Sequence, residues 1–124
     1  MNVVDSSAWL SYFADERNAG AFAEPIADFD NLLVPSITLT EVFKTVVRQQ
    51  DEHAAAEVVA QMKRGHVISL DESLAVAAAE CGLQFKLPLA DSIIYATARK
   101  FDAVVWTQDA DFEDLPNVKF FAGG

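Results

Sequence analysis

One cysteine, two histidines, four prolines and five glycines are spread over 124 residues. No apolar run in the chain approaches the roughly 18 residues that a membrane span needs. The lone Cys81 excludes an internal disulfide and suits a reducing compartment. Residues 1–4 are too short to act as a signal peptide before Asp5 interrupts them, so the chain reads as cytoplasmic. His53 and His66 stand apart and Cys81 lies in a helical stretch, which disfavours a zinc site. Basic residues are also scarce: nine Lys and Arg face 19 Asp and Glu, for a formal net charge of −10. That balance argues against broad electrostatic binding to nucleic acid or anionic membranes. A phosphate substrate would need a metal ion or a local basic rim. Repeats, linkers and low-complexity tracts are absent.

What the chain does have is apolar mass, with 52% hydrophobic residues and nine Phe. Its length suits one domain, residues 1–124, around a single core. Asn2–Val4 reads as a short buried strand, and Asp5, Ser6 and Ser7 form a helix N-cap signal before a helix over 8–14. A second helix is expected over 18–30, with Phe22, Ile26 and Phe29 inward despite Pro25. A strand over 32–34 follows, ended by Pro35. From Thr38 the spacing of Leu39, Val42, Phe43, Val46 and Val47 is helical, and residues 51–63 continue with Val58, Val59 and Met62 on the apolar side. After a strand over 67–70, Asp71 caps a helix over 72–81 that Gly82 closes.

The stretch 87–112, LPLADSIIYATARKFDAVVWTQDADF, organises the rest. Pro88 suits the first position of a helix, which places Asp91 in the first turn. A buried-type strand over 103–106 then ends in Thr107, Asp109 and Asp111. A last strand covers 118–121, and Gly123 and Gly124 are expected to fray. Strands alternating with helices predict an α/β fold on a parallel sheet covered on both faces. In such sheets chemistry collects at the C-terminal strand ends.

Most acidic residues, such as Glu24, Asp51, Glu57 and Glu80, fall on helix faces or ends where solvation explains them. Asp5 and Asp109 instead follow strands, while Glu41 and Asp91 are expected in first helical turns, so all four can meet at one sheet edge. Each also has a purely architectural use. Asp5 can cap the first helix, Glu41 can complete a capping box with Thr38, Asp91 can offset a helix dipole, and Asp109 can serve a turn. Those uses are independent of one another, whereas a single site accounts for all four. Two carboxylates ~5 Å apart repel by roughly 3 kcal/mol at an effective dielectric of 20, so a divalent cation would resolve the crowding. Oxygen ligands without paired His or Cys favour Mg²⁺ or Mn²⁺. Among the cations, Lys44 and Arg48 follow Glu41 on roughly the same helix face and are the candidates for positioning phosphate.

An N-terminal strand closed by Asp5-Ser6-Ser7, the segment TLTE at Thr38 to Glu41, LPLAD at Leu87 to Asp91, and TQDADF at Thr107 to Phe112 together resemble the PIN domain. In length the chain is similar to the VapC ribonuclease toxins of type II toxin-antitoxin pairs. The resemblance implies a three-layer α/β/α sandwich and a metal-dependent endoribonuclease that leaves a 5′-phosphate and a 3′-hydroxyl. It implies Asp5, Glu41, Asp91 and Asp109 as the catalytic quartet, with Asp5, Asp91 and Asp109 on Mg²⁺ or Mn²⁺. Ser6 or Ser7, Thr107 and Asp111 match supporting positions. It further implies an RNA substrate, inhibition by a cognate VapB-type antitoxin, and a homodimer. Trp9, Tyr12 and Phe13 bunch on one short helix, either as an antitoxin contact or as part of the core or of a dimer interface.

Two other readings compete. A phosphoreceiver module has a similar outline, but it needs an acidic pair after the first strand and a Lys near Thr107, and this chain has neither. A PIN-like protein that only binds RNA or a partner is the second rival, and the complete acidic set argues against it.

Overall fold

The computed structural model describes residues 1–123. Its strands are β1 (Asn2–Val4), β2 (Leu32–Pro35), β3 (His66–Ile68), β4 (Val104–Thr107) and β5 (Val118–Phe120). They form one parallel sheet in the order β3-β2-β1-β4-β5. Strands this short and apolar survive because both faces are covered. Val3 pairs in register with Leu33 and Val105, and these three point to one face. Val4, Val34 and Trp106 point to the other, as the two-residue period of a strand requires.

Helices α1 (Ser6–Phe13), α2 (Ala19–Ala27), α3 (Ser36–Gln49) and α4 (Glu52–Met62) cover the second face through Ala8, Trp9, Phe22, Val42, Val46 and Met62. Helices α5 (Glu72–Phe85) and α6 (Leu89–Lys100) cover the first through Leu74, Ala78, Ile94 and Tyr95. The three expected α/β/α layers are therefore present. The chain winds outward from central β1 to β2 and β3, then crosses back to β4 on the other side. The winding reverses between β1 and β4, and their C-terminal ends open a crevice there. Among the described residues no helix is long and apolar enough to cross a membrane.

Several local expectations change. Helix α3 starts at Ser36 rather than near Thr38, so Glu41 lies in the second turn, and no Thr38–Glu41 capping box forms. Thr38 instead donates its hydroxyl back to Pro35 O at 2.7 Å. Pro88 is the N-cap of α6 and not its first residue. The expected helix over 18–30 divides into α2 and a 3₁₀ turn at Phe29–Asn31. Strand β3 begins one residue earlier than expected and ends at Ile68, leaving Leu70 outside it. Trp9 is 1% exposed and stacks on Phe13 at a centroid distance of 5.6 Å, while Tyr12 and Phe13 are only partly covered. Trp9 is thus a core residue, enclosed because α2 packs Phe22 and Ile26 into the same cluster.

Gly82 does not close α5, which continues to Phe85 and ends with Lys86 in the left-handed conformation, φ 56. The glycine serves close helix packing: a Cβ there would lie 2.7 Å from Ser92 Oγ. That hydroxyl has little room to yield, because it donates to Pro88 O at 2.8 Å and lies 3.1 Å from Leu87 O. Alanine in a helix interior normally stabilises by up to about 1 kcal/mol relative to glycine. Gly82→Ala should reverse that sign and cost about 1–3 kcal/mol through overpacking. Gly20→Ala in α2, with nothing within 4 Å of the new methyl, should be neutral or stabilising. Urea unfolding of the two variants tests the contrast, and equal midpoints would refute it.

Candidate active site

Asp5 is the first residue beyond β1, and its N–H donates to Trp106 O at 3.1 Å, carrying the β1–β4 pairing one step further. Its carboxylate caps α1 by accepting from Ala8 N–H at 2.9 Å. It also accepts from Ser7 Oγ at 2.8 Å and from Thr107 Oγ1 at 2.6 Å. One side chain therefore caps the helix and stands at the end of β1 beside β4. Asp5 is 2% exposed. Burial pushes its carboxyl up to about 6, opposed by the hydrogen bonds from Thr107, Ala8 and Ser7 and reinforced by the charge of Asp109.

Thr107 ends β4 fully buried, and its hydroxyl works in both directions. It donates to Asp5 and accepts from Asp109 N–H at 2.8 Å. Asp109 is extended, and its Oδ1 accepts from Asp111 N–H at 2.9 Å, which starts a 3₁₀ turn at Ala110–Phe112. The cap of this segment is Asp109. Phe112, fully buried near Tyr95, pins the turn to the core.

Asp91 stands in the first turn of α6, across the crevice from that turn. Asp91, Asp109 and Asp111 each offer one carboxylate oxygen, and the three oxygens lie within 4.8 Å of one another. Burial pushes the Asp91 carboxyl up to about 7, helped in decreasing order by the charges of Asp109, Asp5, Asp111 and Glu41. Asp91 is therefore the point at which all the candidate acids act on one another. Glu41, half-buried on α3, accepts from Ser6 Oγ at 2.6 Å, so the paired serines divide their work: Ser6 holds Glu41 and Ser7 holds Asp5.

Asp5 and Glu41 adjoin the three-carboxylate group but are not members of it, each being engaged by its own donors. Asp111 is exposed at the rim, and it belongs to the group. Its signal in the sequence was the two-residue spacing to Asp109, because an Asp that accepts from the N–H two residues on reverses the chain locally. Lys44 and Arg48 are exposed on α3. Arg64, Arg99, Lys100 and Lys119 lie over aromatic rings, at 3.9 Å for Arg64 on Phe29 and 4.5 Å for Lys119 on Trp106. His53 pairs with Glu57 and His66 meets Asp30 O, so neither enters the crevice.

A set of oxygen donors alone, holding more negative charge than its surroundings neutralise, fits a hard divalent cation such as Mg²⁺ or Mn²⁺. Asp91, Asp109 and Asp111 would hold it. Without a cation, the burial of Asp91 and the crowding around it have a pH signature. The Asp91 carboxyl is raised from 3.8 to about 7, so the native state binds that proton more tightly than the unfolded chain does. This burden is absent below about pH 4, grows as pH rises, and is complete above about pH 7. Asp91→Asn should therefore raise the melting temperature of chelator-treated protein by a few degrees near pH 8, with the difference closing near pH 4. A gain that persists unchanged at pH 4 would mean that charge is not its cause.

The PIN-domain family model matches residues 3–118. Among solved structures, a toxin-antitoxin complex from Klebsiella pneumoniae superposes with a TM-score of 0.81 at 22% identity, covering 98% of this chain and 99% of that one. VapC20 of Mycobacterium tuberculosis, described as a sarcin-ricin loop cleaving toxin, gives 0.78 at 19% identity over 95% and 97% of the two chains. DNA-bound VapBC from Salmonella typhimurium gives 0.72 at 17% identity over 98% and 96%. No curated protein matches the sequence. At these identities the superpositions establish the fold, and the family match spans nearly the whole of it: the chain belongs to the PIN-domain family.

Proposed function

We propose that this protein is an endoribonuclease toxin of the VapC kind, hydrolysing RNA phosphodiesters with Mg²⁺ or Mn²⁺ and restrained by a VapB-type antitoxin. The observation that carries the reading is the group of Asp91, Asp109 and Asp111 oxygens within 4.8 Å at the crevice of a PIN fold. Structures of similar fold include a sarcin-ricin loop cleaving toxin and toxin-antitoxin complexes, which supports both the substrate class and the partner.

In this reading Asp91, Asp109 and Asp111 hold the cation, and Asp5 and Glu41 complete the negative field around it. A divalent cation bound there supplies a water of lowered pKa and neutralises charge developing on phosphate oxygens. Thr107 ties the Asp5 carboxylate to the main chain of Asp109, so the spacing of the two residues is set before substrate arrives. Lys44 and Arg48 on α3 position the phosphate backbone. A protein with net charge −10 repels RNA at long range, so these local cations and the metal must supply the attraction.

The antitoxin is assigned to the α1 surface, where Tyr12 and Phe13 stay partly uncovered beside Phe29 and Arg64 at a cavity of about 220 Å³. Trp9, at the floor of that cavity, belongs to the core, so Phe13→Asp is the better probe. It should weaken binding of the co-encoded partner at least ~10-fold in a titration while leaving metal-dependent cleavage in place. A homodimer is part of the same proposal, and sedimentation of the purified chain gives its state.

The test of the activity is cleavage of a structured RNA by purified protein with Mn²⁺. Asp91→Asn should lower the rate at least ~100-fold, a loss typical of removing a preorganised electrostatic group, while the fold is retained. Full cleavage by the cleanly purified variant would remove the site from consideration. Mn²⁺-independent cleavage by the unaltered protein would do the same for the metal.

A further inference from the structure

Asn18 occupies the N-cap position of α2 but makes no side-chain capping bond to that helix. Asparagine at an N-cap ordinarily turns its side-chain oxygen toward the exposed N–H groups of the first turn. Here the amide nitrogen points away and meets three acceptors: Gln108 Oε1 at 3.2 Å, Phe121 O at 3.3 Å and Ala122 O at 3.0 Å. Two main-chain carbonyls on one side identify the nitrogen end of the amide without ambiguity, since an oxygen there would face two oxygens.

Both sets of acceptors lead back to the same turn. Gln108 is the residue between Thr107 and Asp109, and its side chain leaves the sheet edge on the side opposite to theirs. Phe121 is bound to the turn from outside, its N–H donating to Thr107 O at 2.9 Å. The Phe121 ring stacks on Trp106 at 5.9 Å and meets Phe22 edge-on at 5.5 Å, so the tail after β5 lies against the end of β4. One amide therefore grips the Thr107–Asp109 segment twice, once through the Gln108 side chain and once through the tail that is bonded to Thr107. On the inner side of this segment, Thr107 accepts from Asp109 N–H and Asp109 accepts from Asp111 N–H. The inner bonds set the spacing within the turn. They do not set where the turn stands relative to α2; the Phe22–Phe121 contact and the Asn18 hydrogen bonds do, and only the Asn18 bonds reach the turn residue Gln108 directly.

We infer that Asn18 is a positioning residue for the metal-holding carboxylates: by anchoring Gln108 and the tail of the chain to the start of α2, it fixes Asp109 and Asp111 in place opposite Asp91. The inference rests on the reading of Asp91, Asp109 and Asp111 as the cation site, and it extends that site to a residue that touches neither ion nor substrate. Groups that orient metal ligands commonly alter metal affinity by 10–100-fold when removed.

The test uses the full-length protein and Mn²⁺ itself, with free Mn²⁺ read by its electron paramagnetic resonance signal. Asn18→Ser and Asn18→Asp are both good N-cap residues, so α2 keeps its start, while neither can donate to Gln108 and the tail carbonyls as the amide does. Each should raise the Mn²⁺ dissociation constant about 10-fold, with the melting temperature of chelator-treated protein changed little. Asn18→Asp is the more stringent of the two, because its added negative charge would by itself favour the cation. Gln108→Ala, which removes one acceptor and leaves the tail bonds, should produce a smaller loss in the same direction. Unchanged Mn²⁺ affinity in both Asn18 variants would overturn the inference, as would collapse of their metal-free melting curves, which would make Asn18 a folding residue. Asp109→Asn separates the inference from its foundation. If it loses Mn²⁺ while the Asn18 variants keep it, only the role of Asn18 falls; if it keeps Mn²⁺, the cation site falls and the inference falls with it.

Discussion

Like charge gathered at one sheet edge is the constraint to which the rest of this structure answers. Three carboxylate oxygens within 4.8 Å, with two more acids beside them, repel one another by several kcal/mol even at a moderate effective dielectric. The gathering follows from topology: the winding reverses between β1 and β4, so residues just past both strands and in the first turn of α6 share one crevice. The fold offsets the repulsion where it has donors. Asp5 receives Thr107, Ser7 and Ala8 N–H, Glu41 receives Ser6, and Asp109 receives Asp111 N–H. Burial and the neighbouring charges raise the Asp91 carboxyl to about 7, above the value of about 6 for Asp5. A group in that position is relieved by a proton or by a cation, which is the exchange that a metal-dependent site needs.

Elements governed by local chemistry could be read from the sequence. Asp5 caps α1 because the residue before a helix needs a side-chain acceptor, and Asp91 falls in the first turn of α6 because Pro88 starts it. Alternating strands and helices gave the parallel sheet for the same reason. Misreadings occurred where a tertiary contact overrode a local preference. Gly82 resembles a helix stop, but Ser92 packs so closely that only glycine fits inside the continuing helix. Thr38 and Glu41 have capping-box spacing, but Pro35 begins the helix earlier and Ser6 claims Glu41 from another element. The bunched Trp9, Tyr12 and Phe13 left core and partner contact both open, and Trp9 is the one buried, because α2 and α4 bring Phe22, Ile26 and Met62 to the same cluster. The three-residue group at the crevice was also partly hidden, since the turn that draws Asp111 toward Asp109 depends on side-chain bonding that spacing alone does not specify.

The burial of Trp9 bears directly on the site. Helix α1 is eight residues long, below the length at which a helix persists in water without tertiary support. Its first residues, Ser6 and Ser7, bond Glu41 and Asp5, so the placement of both acids depends on a helix that cannot hold itself. Trp9 is what holds it: one turn beyond Asp5, fully packed among residues of α2, α3 and α4, it fixes the rotation of α1 about its axis. The outer aromatic residues on the same helix, Tyr12 and Phe13, keep part of their surface in solvent. The helix therefore has a core side that sets the geometry of the acids and an outer side open to solvent. Tyr12 and Phe13 lie within about two helical turns of Ser6 and Ser7, whose side chains bond Glu41 and Asp5.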